Sequence, residues 1–198
     1  MTRLVMTQKR LLSQPPKAGA LFDEMLVISA QRGDRQAAER LAKRWYPRLL
    51  RAARRYVGDA DAAEGLAQEC WLAIVRGLSR LRDPARFAPW AFGILRRQGA
   101  TRIGRLVKER AEVAFTSETE SALEPVQEDR IAIAQAFAML PPDQRLAAHL
   151  HFVEGLTLRE IAEVQSIAEG TAKSRLFHAR RKLKTALDPN PHSQGELQ

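Results

Sequence analysis

The sequence predicts an all-α protein made of two small helical domains, a helical bundle and a helix-turn-helix, joined by a flexible acidic linker. Three observations predict it. Almost every periodic segment repeats its apolar residues at three- and four-residue spacing, while alternating runs and Asn-Gly or Asp-Gly hairpin signals are missing. A length of 198 residues with 45% apolar content suits one domain or two small ones. Between the two periodic stretches, residues 108–128 are acidic, rich in Ser, Thr and Glu, and nearly without period.

The elements follow in order. Residues 1–20 contain Pro15-Pro16 and little periodicity, which reads as a flexible arm with a helix starting near Leu21. Gly33-Asp34 is a break followed by a good cap. Behind it Leu41, Trp45, Leu49, Ala53 and Tyr56 form an apolar stripe. Pro47 is expected to disrupt this helix unless it sits at a first turn or a kink. Asp61 and Glu64 have capping-box spacing, and Ala63, Leu66, Ala67, Cys70, Trp71, Ile74, Val75 and Leu78 then form a second apolar stripe. Asp83-Pro84 makes a turn. A third helix is expected from about Ala85 to Val107, with Phe87, Trp90, Ala91, Ile94, Leu95 and Ile103 inward and arginines on its other faces.

Past the linker, Ile131, Ala134, Phe137 and Ala138 suggest a short helix ended by Leu140-Pro141-Pro142. Asp143 is expected to cap the next helix, whose core side is Leu146, Ala147, Leu150 and Val153, with Glu154-Gly155 as its stop. Two more helices are expected at about 157–164 and 168–187. Leu158, Ile161 and Ala162 bury the first; Ala172, Leu176, Ala179 and Leu183 bury the second. Residues 188–198 form a flexible tail.

Charge narrows the function. Thirty-two Lys and Arg against twenty-three Asp and Glu leave +9, which calls for a polyanionic partner. The charge is uneven: +12 over residues 1–105, −5 over 106–129, and +3 over 140–187. The single cysteine, Cys70, forms no internal disulfide and is spaced as core, so a cytoplasmic location is expected. No stretch reaches the ~20 apolar residues of a membrane span, so no membrane insertion is expected. P-loop, GxSxG and HExxH motifs are missing, and the four histidines are not grouped as metal ligands. Neither an enzyme, nor a cofactor, nor a metal site is expected.

The last two helices, tightly joined, have the form of a helix-turn-helix. Residues 170–184 carry six cations and no acid. The outward face reads Thr171, Ser174, Phe177, His178 and Arg181, a mixture of donors, acceptors, an aromatic and cations that suits a major groove. An ordinary helix with a solvated basic face would lack an aromatic on its polar side. In the third helix of the first domain, Arg96, Arg97, Arg102 and Arg105 lie near Phe87, Trp90 and Phe92, and cations interleaved with aromatics hold unstacked bases of a single strand. Trp90 also fits a core position.

Two segments resemble one family together. Gly33-Asp34 through Trp45-Tyr46-Pro47, DADAAEGLAQECW and FAPWAFGILRRQGATRIGR are similar to region two of extracytoplasmic-function (ECF) sigma factors. LPPDQRLAAHLHFVEGLTLREIAEVQSIAEGTAKSRLFHARRKLKTAL is similar to their region four. The resemblance implies a region-two domain over 21–107, a linker over 108–128 and a region-four domain over 129–187. It implies a sigma factor that confers promoter recognition on bacterial RNA polymerase, with region two melting the minus-ten element and region four reading the minus-thirty-five element. Asp61, Glu64, Gln68 and Glu69 match the contacts with core polymerase. The turn Leu81–Arg86, with Arg82 and Arg86, matches the loop that captures a flipped base, and Trp90, Arg96, Arg97, Arg102 and Arg105 belong to the strand-binding element. In region four Lys173, Ser174, Phe177 and His178 match base-facing positions; Arg175 and Arg181 match phosphate contacts, with Thr171 on the same face. The implied partners are core RNA polymerase through the β′ clamp helices and the β flap, promoter DNA, and an anti-sigma factor.

The chain departs from the family pattern at five places. Gly65 stands where the docking motif usually has Asp. Arg97 and Thr101 replace a usual Asn and Asp. Ser166 replaces the usual turn glycine, and Ala168 the usual Ser or Thr cap, at a cost of about 1 kcal/mol. The other reading of these residues is a helix-turn-helix transcription regulator that binds duplex DNA without joining core polymerase.

Overall fold

The computed structural model describes residues 18–113 and 135–187. The described residues form helices joined by short turns: α1 Ala18–Gln31, α2 Arg35–Val57, α3 Ala60–Gly77, α4 Phe87–Val113, α5 Pro142–Phe152, α6 Leu158–Gln165 and α7 Glu169–Leu187. Two 3-10 turns, Leu78–Arg80 and Pro84–Arg86, connect α3 to α4, and residues 135–138 are also helical. None of these helices is long and apolar enough to cross a membrane. The arm at 1–17, residues 114–134 and the tail at 188–198 lie outside the described residues, with Ile131 and Ala134 among them.

Local chemistry sets each helix start. Asp34 accepts from the Gln36 and Ala37 amides to cap α2, and Gly58 closes it in the left-handed conformation with φ 80°. Asp59, not Asp61, caps α3, accepting from the Ala62 amide at 2.7 Å. The expected capping box at Asp61 therefore starts two residues late. Thr157 and Glu160 form a reciprocal capping box on α6. Asp143 does not cap α5: Pro141 occupies that place with no side-chain cap, and the Asp143 carboxylate turns toward Arg175, Arg96 and Tyr56.

Three further expectations are corrected. Pro47 sits inside α2 without ending it. Its ring is on the exposed side, and the buried Trp45 and Leu49 hold the turns around it in place. The helix from Phe87 runs on to Val113, six residues past its expected end and into the stretch read as linker. Val153 is exposed, because α5 ends at Phe152 and Val153 is the residue at which the chain leaves the helix.

The predicted stripes of α2 and α3 meet in one core. Leu41, Trp45, Leu49, Ala53 and Tyr56 are buried against Leu66, Cys70 and Ile74. Trp45 meets Phe87 edge-on with ring centroids 4.8 Å apart, and Phe92 at 5.6 Å. Gly99 brings α4 close, since a Cβ there would fall 2.6 Å from the Tyr56 ring. This core does not stop at the first half. Leu146, Ala147, Leu150, Ile161, Ala172 and Leu176 of the helix-turn-helix half belong to the same cluster. A smaller cluster, including Phe137, Leu140, Ala148, Ala179 and Leu183, closes the far side of that half.

Candidate nucleic-acid interface

The turn between α6 and α7 aims the second helix. Ser166 takes the left-handed conformation, φ 54° and ψ 48°, and is the one non-glycine with positive φ among the described residues. A side chain there costs about 1 kcal/mol that a glycine would avoid. Ala168 supplies no side-chain cap; its carbonyl accepts from the Thr171 and Ala172 amides. The apolar side of α7, Ala172, Leu176, Ala179 and Leu183, is buried as its spacing requires. That leaves Thr171, Lys173, Ser174, Phe177 and Arg181 exposed, with His178 half-buried. Phe177 is 62% exposed, and its ring meets His178 at 5.6 Å. Arg175 is different. It donates to Gln165 Oε1 at 2.7 Å and lies 3.1 Å from Asp143, so it is engaged inside this half.

In the first half, Gln31 donates to the Leu78 and Leu81 carbonyls at 2.8 and 2.9 Å, fixing the turn that leads into the Leu81–Arg86 loop. Asp83 accepts from the Ala85 amide and starts the Pro84 turn. The loop and α4 then enclose a cleft lined by Arg82, Arg86, Pro89, Trp90, Gly93 and Arg97. Trp90 is half-buried on its wall. Phe87 and Phe92 are fully buried beside Trp45 and hold the core instead of facing a strand.

Arg96, Arg97 and Arg102 of α4 point in different directions, because neighbours on a helix do not share a face. Arg97 follows Trp90 by seven residues and shares its cleft. Arg96 turns toward α2 and α5, 3.8 Å from Asp143. Arg102 turns onto α3, donating to the Ala62 carbonyl at 3.0 Å and lying 3.7 Å from Glu69. Arg105 is exposed.

Asp61, Glu64, Gln68 and Glu69 are all exposed on α3. Between them stands Gly65, where a Cβ would lie 2.8 Å from the Arg102 guanidinium. The glycine departure and Arg102 are thus linked: the missing side chain makes room for the guanidinium. Sequence reasoning missed two neighbours. Leu72 and Val75, 52% and 56% exposed, continue the Asp61, Glu64, Gln68 face at helical spacing. The spacing places Val75 in the core stripe, but it is exposed; the position of Leu72 outside that stripe is the available signal.

The remaining candidates are occupied structurally. Burial pushes the Cys70 thiol up to about 12, leaving it unreactive. Burial and the Asp143 carboxylate, 3.3 Å away, push the Tyr56 phenol up to about 12. His149 is buried 3.5 Å from Glu154, which is itself paired with Arg48 at 2.7 Å. Arg48 also lies 3.8 Å over the Trp45 ring and 3.3 Å from Asp23. Burial alone would raise the Glu154 carboxyl, but the His149 ring and the Arg48 guanidinium reverse this and hold it below its usual value. Among the described residues no group of His, Cys, Asp and Glu is arranged to hold a metal ion.

Comparison with known proteins supplies independent findings. The sequence pattern of Sigma-70 region 2 matches residues 41–108, and that of Sigma-70, region 4 matches residues 130–183. The RNA polymerase sigma-H factor of Pseudomonas aeruginosa is 31% identical over 182 residues, covering 84% of this chain and 94% of that protein. The ECF RNA polymerase sigma-E factor of Escherichia coli K12 is 27% identical over 184 residues, covering 85% and 96%. Among solved structures, the sigma factor RpoE of Bartonella quintana in complex with the anti-sigma factor NepR has a TM-score of 0.68 at 24% identity, covering 77% of this chain and 97% of that one. CnrH in complex with the cytosolic domain of CnrY has a TM-score of 0.60 at 24% identity, covering 85% and 99%.

Proposed function

The chain belongs to the sigma-70 family of RNA polymerase sigma factors, in its ECF branch, and on that premise we propose how its two halves divide the recognition of a promoter. Region four reads duplex minus-thirty-five DNA with the exposed face of α7. Lys173, Ser174, Phe177 and His178 meet base edges, and Thr171 and Arg181 meet the backbone. Region two opens the minus-ten element. Unpaired bases enter the cleft against Trp90, held by Arg82, Arg86, Arg97 and Arg105. The face with Asp61, Glu64, Gln68, Leu72 and Val75 docks on core polymerase, an apolar centre in a polar rim. Glu69, Arg102 and Gly65 shape its edge. Linking two weak DNA readers raises the effective concentration of the second once the first is bound.

One observation carries this reading: both sigma regions lie in order on one chain. The protein works in the cytoplasm, where the polymerase is. The family is generally a non-enzymatic recognition subunit. The complex of the sigma factor RpoE with the anti-sigma factor NepR supports regulation by such a partner.

The test is transcription in vitro with purified core polymerase on a genomic fragment library. A promoter-dependent transcript that requires this chain is expected. Duplex DNA binding without core binding would overturn the reading in favour of a regulator that acts apart from polymerase.

A further inference from the structure

Helices α3 and α4 meet where the chain has no side chain at residue 65. A Cβ on Gly65 would fall 2.8 Å from Arg102 Nη1, 2.9 Å from Nη2 and 3.2 Å from Cζ, so the guanidinium rests directly on the helix over that residue. Nη1 donates to the Ala62 carbonyl at 3.0 Å, and Nη2 lies 3.7 Å from Glu69. Ala62, Gly65 and Glu69 form one row at helical spacing, beside the exposed Asp61, Glu64 and Gln68. Arg102 thus ends on the border of the docking face, while the cleft takes Arg82, Arg86 and Arg97. Its side chain is mostly buried, with 18% of its surface left in solvent. A guanidinium has five N–H donors. Among the described residues the Ala62 carbonyl takes one, and Glu69 stands beyond hydrogen-bond distance. The seated fork therefore has donors to offer a partner.

We propose that Arg102 is a specificity-determining contact of the docking face, seated by the missing side chain at Gly65, and that its guanidinium takes a hydrogen-bond acceptor of core polymerase, a carboxylate or a main-chain carbonyl. The proposal rests on the sigma-factor reading and on the docking face described above. The seat is preorganised. Ala62 and Gly65 already hold the planar fork, so it loses little freedom when a partner arrives. The charge also selects. Asp61, Glu64 and Glu69 are acids, and Arg102 marks one point at their border with the opposite sign. A polymerase surface without an acceptor at that point would cover the cation and leave it unpaired, which disfavours the wrong partner. Gly65 and Arg102 act as one unit, because any side chain at residue 65 occupies the seat of the guanidinium. Arg102 thereby belongs to docking and not to the strand-binding row in which its neighbours on α4 place it.

The affinity of the full-length chain for purified core polymerase, read from an N-terminal fluorophore, tests this. R102A is expected to bind about tenfold more weakly. R40A, which removes a cation from an exposed site on α2, is expected to bind as the parent does. G65A separates docking from folding. Its methyl group takes the guanidinium's seat, so it is expected to bind as weakly as R102A. It is expected to melt above R102A, since alanine is the better helix former. G65A/R102A is expected to bind no more weakly than R102A alone. Affinities that follow the melting temperatures, with G65A binding more tightly than R102A, would overturn the proposal in favour of a structural arginine. R102K binding more tightly than R102Q identifies the acceptor as a carboxylate, and the reverse order identifies a carbonyl. At saturating concentration R102A is expected to restore the parent's level of promoter-dependent transcript. A persistent shortfall at full core occupancy would overturn the proposal and return Arg102 to the strand. E64K marks the premise. If R102A binds as the parent does while E64K binds more weakly, Arg102 alone is misassigned. If E64K also binds as the parent does, the docking face has failed, and if the parent binds no core at all, the sigma-factor reading has failed.

Discussion

On α7, Thr171, Lys173, Ser174, Phe177 and Arg181 are all exposed, while on α4 and its entry loop Arg86 and Arg96 end on carboxylates of the other half. The two surfaces have similar residue types but different shapes. A groove is read by a protruding helix, and a helix needs only one buried stripe to present the opposite face. A single strand is read in a concavity, and this one takes its walls from a loop, a helix start and a neighbouring domain. The convex reader is therefore legible from one helix. The concave one depends on everything packed around it.

The comparison breaks most sharply at the aromatics. Phe92→Ala removes a fully buried ring from the Trp45 cluster and is expected to cost about 3–5 kcal/mol in urea unfolding. Phe177→Ala should stay within about 0.5 kcal/mol of the parent because that ring is exposed, yet it should weaken duplex binding. Similar losses of stability at both sites would mean that the two halves are not distinguished as described.

Next comes the contact between halves. Glu154→Gln removes one partner of a buried pair and is expected to cost about 3 kcal/mol, the low end for such a change because Asp23 still faces Arg48. The folded carboxyl lies below its usual 4.5, so its stabilisation is complete above that value and is lost as the pH falls through the depressed one. The difference in melting temperature between parent and variant should therefore shrink from about pH 6 to about pH 3. A constant difference would assign the effect to packing.

Lys173→Ala should weaken promoter duplex binding by about 1 kcal/mol and reduce its salt slope by about one unit if it meets phosphate. Core-polymerase binding, measured on the same preparation, should be unchanged. The smallest effect is expected at the turn: Ser166→Gly should stabilise the chain by about 0.5–1 kcal/mol in the same unfolding assay by relieving the left-handed backbone.

The buried stripes of α2 and α7, with Ile161 and Ala162 of α6, were readable because helical spacing reports burial directly; Leu158 is only half-buried. Other positions were misread for physical reasons. Asp59 and Asp61 both offer a cap, and which one serves depends on where the chain turns after Gly58. Arg96, Arg97 and Arg102 look alike in a row, yet a helix sends them to three neighbours. Glu163 and Asp143 carry no local sign of their partners, which lie far away in the chain.

The sequence by itself determined the helical class, the two sigma regions with their order, and the exposed face of α7, since these follow from periodicity, charge sign and motif spacing within short stretches. The tertiary structure alone decided which arginines face the cleft, that Gly65 accommodates Arg102, and that α6 sets Glu163 against Arg86. Those outcomes depend on distances between side chains remote in sequence, and such distances exist only once the apolar core common to both halves has brought the helices together.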